Sequence, residues 1–544
     1  MPWIDTVDLT EESPYSPMET YWLYNGLDAT ITYEVHEALA KQTSPEVERV
    51  YHFERAMQWP AMDMMLRGFR IDPYWRMENI DATQKDLTQY ELRLNALAQI
   101  VQGSPLNARS PLQLKKFFTE GLRIPIPVTR IKGEEKESLG RKVLEKIFEQ
   151  YLYSRPFISH ILAIRGASKT LGVLRSGVDS DSRIRTSYNI AGTETGRWSS
   201  SENAFGTGTN LQNITEKLRR MMIADPGYKL FYIDLEQAES RAVALLLYHE
   251  FMGQEAWCSA FGFPVPRHCA NKAAYWDACE SGDLHTTVAM MTWPELGWTD
   301  DLKLNKAKAD DSSRPFYRDF TYRDISKRVG HGSNYFGSPF GIAAQIGKIE
   351  TSVVKSFQDK YLPAFSLSEW HQSVIAKVQV NGYLTTPLGR TRQFFGRTGD
   401  PATHREAIAN SPQSMVGDIL NRGLWNIWNH YRSVSRGLGD LNAPVQLLGQ
   451  IHDAVVGQYR DISPEFEART LAKIQELLSV PVTVCDRTMV IPSDIKIGWN
   501  FSKVDYDKKQ FPDGNPDGLT GYKGQGNDTR KRAKALEILD RRVC

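Results

Sequence analysis

Two aspartates in this sequence stand where a chain could offer carboxylates to a metal ion. Asp234 ends an apolar, strand-like run over 228–233, and an apolar helical stretch follows it. Asp453 falls at the turn of a hairpin pattern that runs 445–451 and then 454–459, with His452 beside it. Phosphoryl transfer asks little covalent chemistry of a protein. It asks for two cations placed on the attacking and leaving oxygens, and hence for carboxylates converging from separate segments. A strand-end Asp beside a hairpin Asp is a good Mg2+ platform. Either Asp alone reads more simply as a turn residue.

A second set of side chains suits the nucleotide such a platform would serve. Arg323, Lys327, His331 and Tyr335 recur every four residues. On a helix they form one slowly turning stripe. Twelve positions separate the first from the last, roughly 18 Å at about 1.5 Å per residue. Two cations at one end would grip phosphates while the aromatic at the other met a base. A salt-bridged surface face is the plainer alternative, but Gly330 and Gly332 count against it, since each costs about 1 kcal/mol relative to Ala in a helix.

The elements around these residues give them a frame. Helical spacing runs from about Glu46 to Gly68, then Phe69-Arg70-Ile71-Asp72 is a short extended piece opening another helix. Residues 85–180 read mainly as helices with a loop over 125–137. At about 183 the texture turns to Ser, Thr, Gly and Asn. The glycine-rich stretch through Thr195-Gly196-Arg197 and on to Asn210-Leu211-Gln212-Asn213 could lie close to a nucleic-acid backbone. Helices dominate from 240 to 435, and 506–544 reads as a polar tail with a basic end at Arg530–Arg532 and Arg541–Arg542.

With 544 residues the chain should form three or four packed subdomains, and 41% hydrophobic content suits a soluble globular protein. The start, Met1-Pro2-Trp3-Ile4-Asp5, has neither the basic end nor the apolar core of a signal peptide. Nothing approaches the roughly 18 apolar residues of a membrane helix, so a cytoplasmic protein with no membrane partner is expected. Net charge is +1, from 66 basic and 65 acidic residues, so global charge does not point to nucleic acid. Five cysteines, three of them with His268 between 258 and 279, match no CxxC pair and read as reduced thiols rather than a zinc site.

Taken together, the motifs resemble those of DNA polymerase family A, the DNA polymerase I type. Asp234-Leu235-Glu236-Gln237-Ala238-Glu239-Ser240-Arg241 resembles the first palm signature, and Gln450-Ile451-His452-Asp453 the second. The 323–335 stripe resembles the nucleotide-binding finger helix. The 195–213 stretch and Gly382–Arg390 resemble further family segments. The resemblance runs from about residue 46 to about 503. It implies an α+β right-hand fold: an antiparallel palm sheet with helical fingers and thumb. By residue number it implies palm entry at 46–83, thumb at 84–182 and palm at 183–250. Fingers follow at 251–400, with insertions near 255–280 and 293–318, then palm again at 401–505 before the 506–544 tail.

The resemblance also implies roles. Asp234, Asp453 and the Leu235 backbone carbonyl would hold two Mg2+ ions, for which Mn2+ could substitute. Arg323, Lys327, His331, His285, Gln237, Glu239 and Tyr335 would meet the incoming dNTP, with Lys327 and Tyr335 acting in catalysis. Glu239 would exclude a ribose 2′-hydroxyl. Arg197, Gln212, Asn213, Gln413 and His452 would contact primer–template DNA. Three positions depart from the family pattern: His331 stands at a Phe or Tyr position, Phe336 at a Gly and Ala454 at a Glu.

Tyr24-Asn25-Gly26-Leu27-Asp28 resembles the last motif of the family's 3′–5′ exonuclease, while Asp5, Asp8, Glu11 and Glu12 form no Asp-x-Glu strand. Residues 1–45 therefore read as the remnant or tail of such a domain, and the chain alone is not expected to proofread. A separate exonuclease subunit or processivity factor is an expected partner. Compact size and the substitutions suggest a bacteriophage replicative enzyme, working in the host cytoplasm. Two rivals remain: a single-subunit RNA polymerase, against which Glu239 and the 195–201 segment speak, and a catalytically silent primer–template clamp, against which the retained carboxylates and finger cations speak.

Overall fold

The computed structural model describes residues 15–522, apart from 132–133 and 348. Asp5, Asp8, Glu11, Glu12, the basic end at 530–542 and Cys544 lie outside the described residues. Helix α1 (Pro17–Ala40) opens with a capping box in which Ser16 and Glu19 satisfy each other's backbone donors. It buries none of its residues and leaves Tyr21, Trp22, Leu27 and Tyr33 exposed.

Helix α2 (Pro45–Arg67) ends at Gly68, whose left-handed φ of 64° stops it. The chain then enters β1 (Phe69–Ile71), which lies between the short strands Arg183–Ile184 and Met222–Ile223. Asp72 caps α3 (Pro73–Gln102), which packs along α4 (Arg155–Leu174). Leu87, Leu94, Phe117, Phe118, Ile147 and Ile161 form a separate core between and beside them. The segment expected as a loop over 125–137 contains two short paired strands, Val128–Ile131 and Glu134–Glu137.

The main core surrounds one antiparallel sheet. Its strands are β2 (Tyr228–Leu235), then β3 (Val445–Ile451) and β4 (Ala454–Arg460) as a hairpin, then β5 (Ser493–Gly498) and β6 (Thr520–Gly521). Their order across the sheet is β3-β4-β2-β5-β6. Helices pack against it, α2 on β3 among them. α5 (Ala238–Phe261) buries the continuous run Ala242–Tyr248, and α8 (Pro401–Tyr431) buries most of its middle. A helix apolar on all sides belongs in the interior, and here both pack on each other. Between them in sequence lie α6 (Leu284–Thr292) and α7 (Tyr322–Asn334), which pack together beside the end of β2. The mixture of helix and antiparallel sheet is the α+β class the sequence implies.

Of the polar tail expected over 506–544, residues 506–522 are instead packed on the fold, and the rest lies outside the described residues. Phe511, Asn515, Asp517 and Leu519 are buried, and β6 joins the sheet edge at Lys496 and Ile497. Polar side chains make this possible by bonding inward. Asp505 accepts from the backbone of Lys509, Gln510 and Phe511, and Asn515 pairs with Asn500. No helix among the described residues is long and apolar enough to cross a membrane.

Candidate active site

Register places the acidic pair. Asp234 lies opposite Ala454 on β4 and opposite Asp494 on β5. The backbone N–H of Leu235 donates to the carbonyl of Asp453 at 3.2 Å, pinning the hairpin turn to the end of β2. His452 takes a left-handed φ of 56° in that turn. For a non-glycine residue this costs about 1–3 kcal/mol, a strain usually found at functional sites. Burial, with the charges of Asp453 and then Asp494 adding to it, raises the Asp234 carboxyl to about 6. The charges of Lys496 and Lys327 oppose that rise.

Three residues past Asp234, Gln237 is also left-handed and starts α5. Its amide donates to Asp283 at 3.3 Å, while its buried Oε1 has no partner. Glu239 in the first turn of α5 is the meeting point of three candidates. It accepts from Arg197 at 2.6 Å and from the Tyr335 hydroxyl at 2.6 Å, and His331 lies 3.4 Å away. Burial would raise this carboxyl, but the bonds from Tyr335 and Arg197 outweigh it and hold the group below its ordinary range.

Helix α7 carries the stripe. Thr321 and Asp324 cap it in a capping box. Arg323 does not point free. It lies bidentate on Asp283, the N-cap of α6. Lys327 is exposed and makes no ion pair among the described residues, but its charge reaches Asp234. Tyr335 sits just past the helix as its C-cap, edge-on to His331 with ring centroids 4.8 Å apart. Gly332 has a packing reason: a Cβ there would stand 2.8 Å from Ile342. His285, in the first turn of α6, is buried, and burial lowers its pKa to about 4, so it is a neutral imidazole.

The remaining candidates lie around this centre. Gln212 donates to the carbonyl of Trp198 at 2.7 Å, tying together the two halves of the glycine-rich stretch. Asn213 and His452 are exposed, and Gln413 is half-buried on α8. Asp28 is exposed on α1. Cys258, Cys269 and Cys279 are buried free thiols.

Among the described residues no group of three or more His, Cys, Asp or Glu could by itself hold a metal. The donors at the sheet end nevertheless suit Mg2+. They are hard carboxylate oxygens, and Asp234 is partly buried with the like charges of Asp453 and Asp494 beside it. Mg2+ is commonly bound by one or two carboxylates, its other ligands being water and substrate phosphate. Asp234 and Asp453, with the Leu235 carbonyl, would hold it.

Sequence reasoning missed Asp494, Lys496 and Asp283. The first two share the Asp234 face of the sheet, with Lys496 lying 3.4 Å from Asp494 and over the Tyr232 ring at 5.6 Å. Their signal is two charged residues at alternate positions in the otherwise apolar strand 493–498, a pattern that places both on one face.

A family model for DNA polymerase family A matches residues 77–292. DNA polymerase I of Chloroflexus aurantiacus is 25% identical over 510 residues, 90% of this chain and 47% of that protein. DNA polymerase I of Pseudomonas aeruginosa is 23% identical over 88% of this chain and 47% of its own length. That of Rhizobium leguminosarum is 28% identical over 55% of this chain and 26% of its own. The chain thus spans about half the length of the first two relatives. The POL domain of Pol1 from M. smegmatis, solved in complex with DNA primer-template and dNTP, aligns with a TM-score of 0.59 at 22% identity. The alignment covers 82% of this chain and 69% of that one. This likeness shows the fold.

Proposed function

We propose that this chain is a DNA polymerase of family A, a DNA-directed DNA polymerase that adds dNTPs to a primer 3′ end, as the family-model match and the similarity to DNA polymerase I proteins support. The observation that carries the reading is the convergence of Asp234 and Asp453 at one sheet end, within electrostatic reach of Lys327 on α7. Two bound Mg2+ ions would activate the primer hydroxyl and stabilise the leaving pyrophosphate. The chain's own residues do the rest. Lys327 and Arg323 bind the triphosphate, Arg323 exchanging Asp283 for phosphate. Neutral His285 donates or accepts a hydrogen bond beside them. Gln237 offers its orphaned carbonyl to the nucleotide. Tyr335 and His331 wall the sugar and base, and Glu239, held by Arg197 and Tyr335, blocks a 2′-hydroxyl.

In the same reading Arg197, Gln212, Asn213, Gln413 and His452 contact primer and template. The 183–250 and 401–505 segments form the palm, 84–182 the thumb and 251–400 the fingers. A separate exonuclease or processivity factor is a further partner, and the exposed aromatic residues of α1 support a protein contact there. Primer extension tests the whole reading: a labelled primer–template with Mg2+ and four dNTPs should be extended to the template end. Extension that needs rNTPs instead would favour a single-subunit RNA polymerase, and DNA binding without extension a silent clamp.

A further inference from the structure

A cavity of about 480 Å3 opens between α2, the C-terminal end of α8 and the loop that leads into β3. Its size falls in the range of small-molecule sites. It is separate from the acidic pair. Leu447, in its lining, lies six residues before Asp453 along the β3 hairpin, roughly 20 Å at about 3.3 Å per residue.

The polar groups at its base are already committed. Arg67 is buried and bonds Asp63, the Leu447 carbonyl at 2.7 Å and the Asp440 carbonyl. The groups nearer the mouth are not. Trp59 on α2 is 52% exposed. The guanidinium of Arg432 lies 4.9 Å over the Trp428 ring. Neither Arg432 nor Arg436 makes an ion pair among the described residues. Tyr431, in the same lining, has a hydroxyl with no hydrogen-bond partner among the described residues. Burial pushes its pKa up to about 12, so it keeps its proton and is a donor.

We propose that this cavity binds a nucleotide, its flat base against Trp59 and Tyr431 and its phosphate on Arg432 and Arg436. Guanidinium groups bind phosphate oxygens in pairs, and an open indole stacks on any base through its π face. The Tyr431 hydroxyl donates to a base or sugar acceptor. An acidic peptide with an apolar anchor shares part of this chemistry. The open indole and the aromatic walls favour a planar ring over an aliphatic chain.

Photo-labelling of the full chain with 8-azido-ATP, in EDTA and without DNA, tests the site by location. Labelled peptides should contain Trp59 or Tyr431. AMP should compete, while adenosine alone and inorganic phosphate alone should not at the same concentration. Arg432→Glu with Arg436→Glu should cut this labelling at least tenfold, and Tyr431→Phe should cut it several-fold. Should the double variant melt early, Arg436→Glu alone, in an exposed loop, carries the same test. Labelling confined to α7 peptides overturns the proposal. So does labelling at Trp59 that survives the charge reversals, or that yields to an acidic aromatic peptide but not to AMP.

Discussion

Arg323 lies on Asp283 with both ends of its fork, Nη2 at 2.7 Å from one carboxylate oxygen and Nε at 2.9 Å from the other. Asp283 also caps α6 through the Thr286 backbone and hydroxyl. Burial would raise this carboxyl, but the Arg323 and Thr286 bonds and the Arg323 charge hold it well below the usual range.

Nucleotide binding must therefore compete with Asp283 for Arg323. Asparagine still caps a helix, so Asp283→Asn removes charge while keeping the cap. Steady-state kinetics of the variant should show KM for dNTP several-fold lower at low salt, with the effect shrinking as salt rises. Losing the partly buried ion pair should cost about 1–2 kcal/mol of stability, less than for a fully buried pair because Arg323 is partly exposed. An unchanged or raised KM would show that Asp283 presents Arg323 rather than withholding it.

Asp234 gives the pH dependence. Its carboxyl is raised to about 6, so the protonated form favours the fold and that contribution is lost as pH rises through about 6. A cation requires the ionised form, so protons and Mg2+ compete. At limiting Mg2+, extension should fall about tenfold per unit below pH 6, and more Mg2+ should move the midpoint to lower pH. Asp494→Asn removes a neighbouring like charge and should shift the midpoint the same way. A midpoint indifferent to both changes would separate the acid limb from Asp234.

The parts of the site legible in the sequence are those written locally. The apolar run ending at Asp234 and the hairpin around Asp453 are period-two patterns, and the stripe from Arg323 to Tyr335 is a period-four pattern. Each holds within a dozen residues. What was not legible is long-range register. Asp494 meets Asp234 only because β5, some 260 residues later, pairs beside β2. The Asp283 link to Arg323 spans 40 residues and that of Arg197 to Glu239 spans 42. The packing of 506–522 was hidden for another reason. Its buried residues, Phe511, Asn515, Asp517 and Leu519 with Gly514 and Gly518, mix apolar and polar types without a helix or strand period, and composition reads that as tail.

Lys327 lies within electrostatic reach of Asp234 and makes no ion pair among the described residues. Lys327→Ala should raise KM for dNTP and lower kcat together, for a total loss of about 100- to 1,000-fold in kcat/KM, since a preorganised charge on a transferring phosphoryl group is worth several kcal/mol. Primer–template affinity, measured by fluorescence anisotropy, should change little. A loss confined to DNA affinity would mean that α7 faces the duplex and not the nucleotide.

Glu239 carries the most specific expectation. Its carboxylate is fixed from two sides, by Arg197 and by Tyr335, each at 2.6 Å, so it is a rigid wall and not a swinging side chain. Removing it with Glu239→Ala opens space at the sugar and should let rATP compete with dATP at least tenfold better in single-nucleotide incorporation. Yet the same change leaves the Arg197 guanidinium and the partly buried Tyr335 hydroxyl without a partner, which alone costs about 1–3 kcal/mol and could slow dNTP incorporation too. Glu239→Gln separates the two effects. It keeps the bulk and one acceptor but loses the charge, so dATP incorporation should slow while rATP stays excluded. Tyr335→Phe supplies the complement: it frees one carboxylate oxygen, and discrimination should weaken only partly because Arg197 still holds the other. Equal sugar selectivity in Glu239→Ala and the parent chain would make Glu239 a purely structural anchor between α5, α7 and the Arg197 segment.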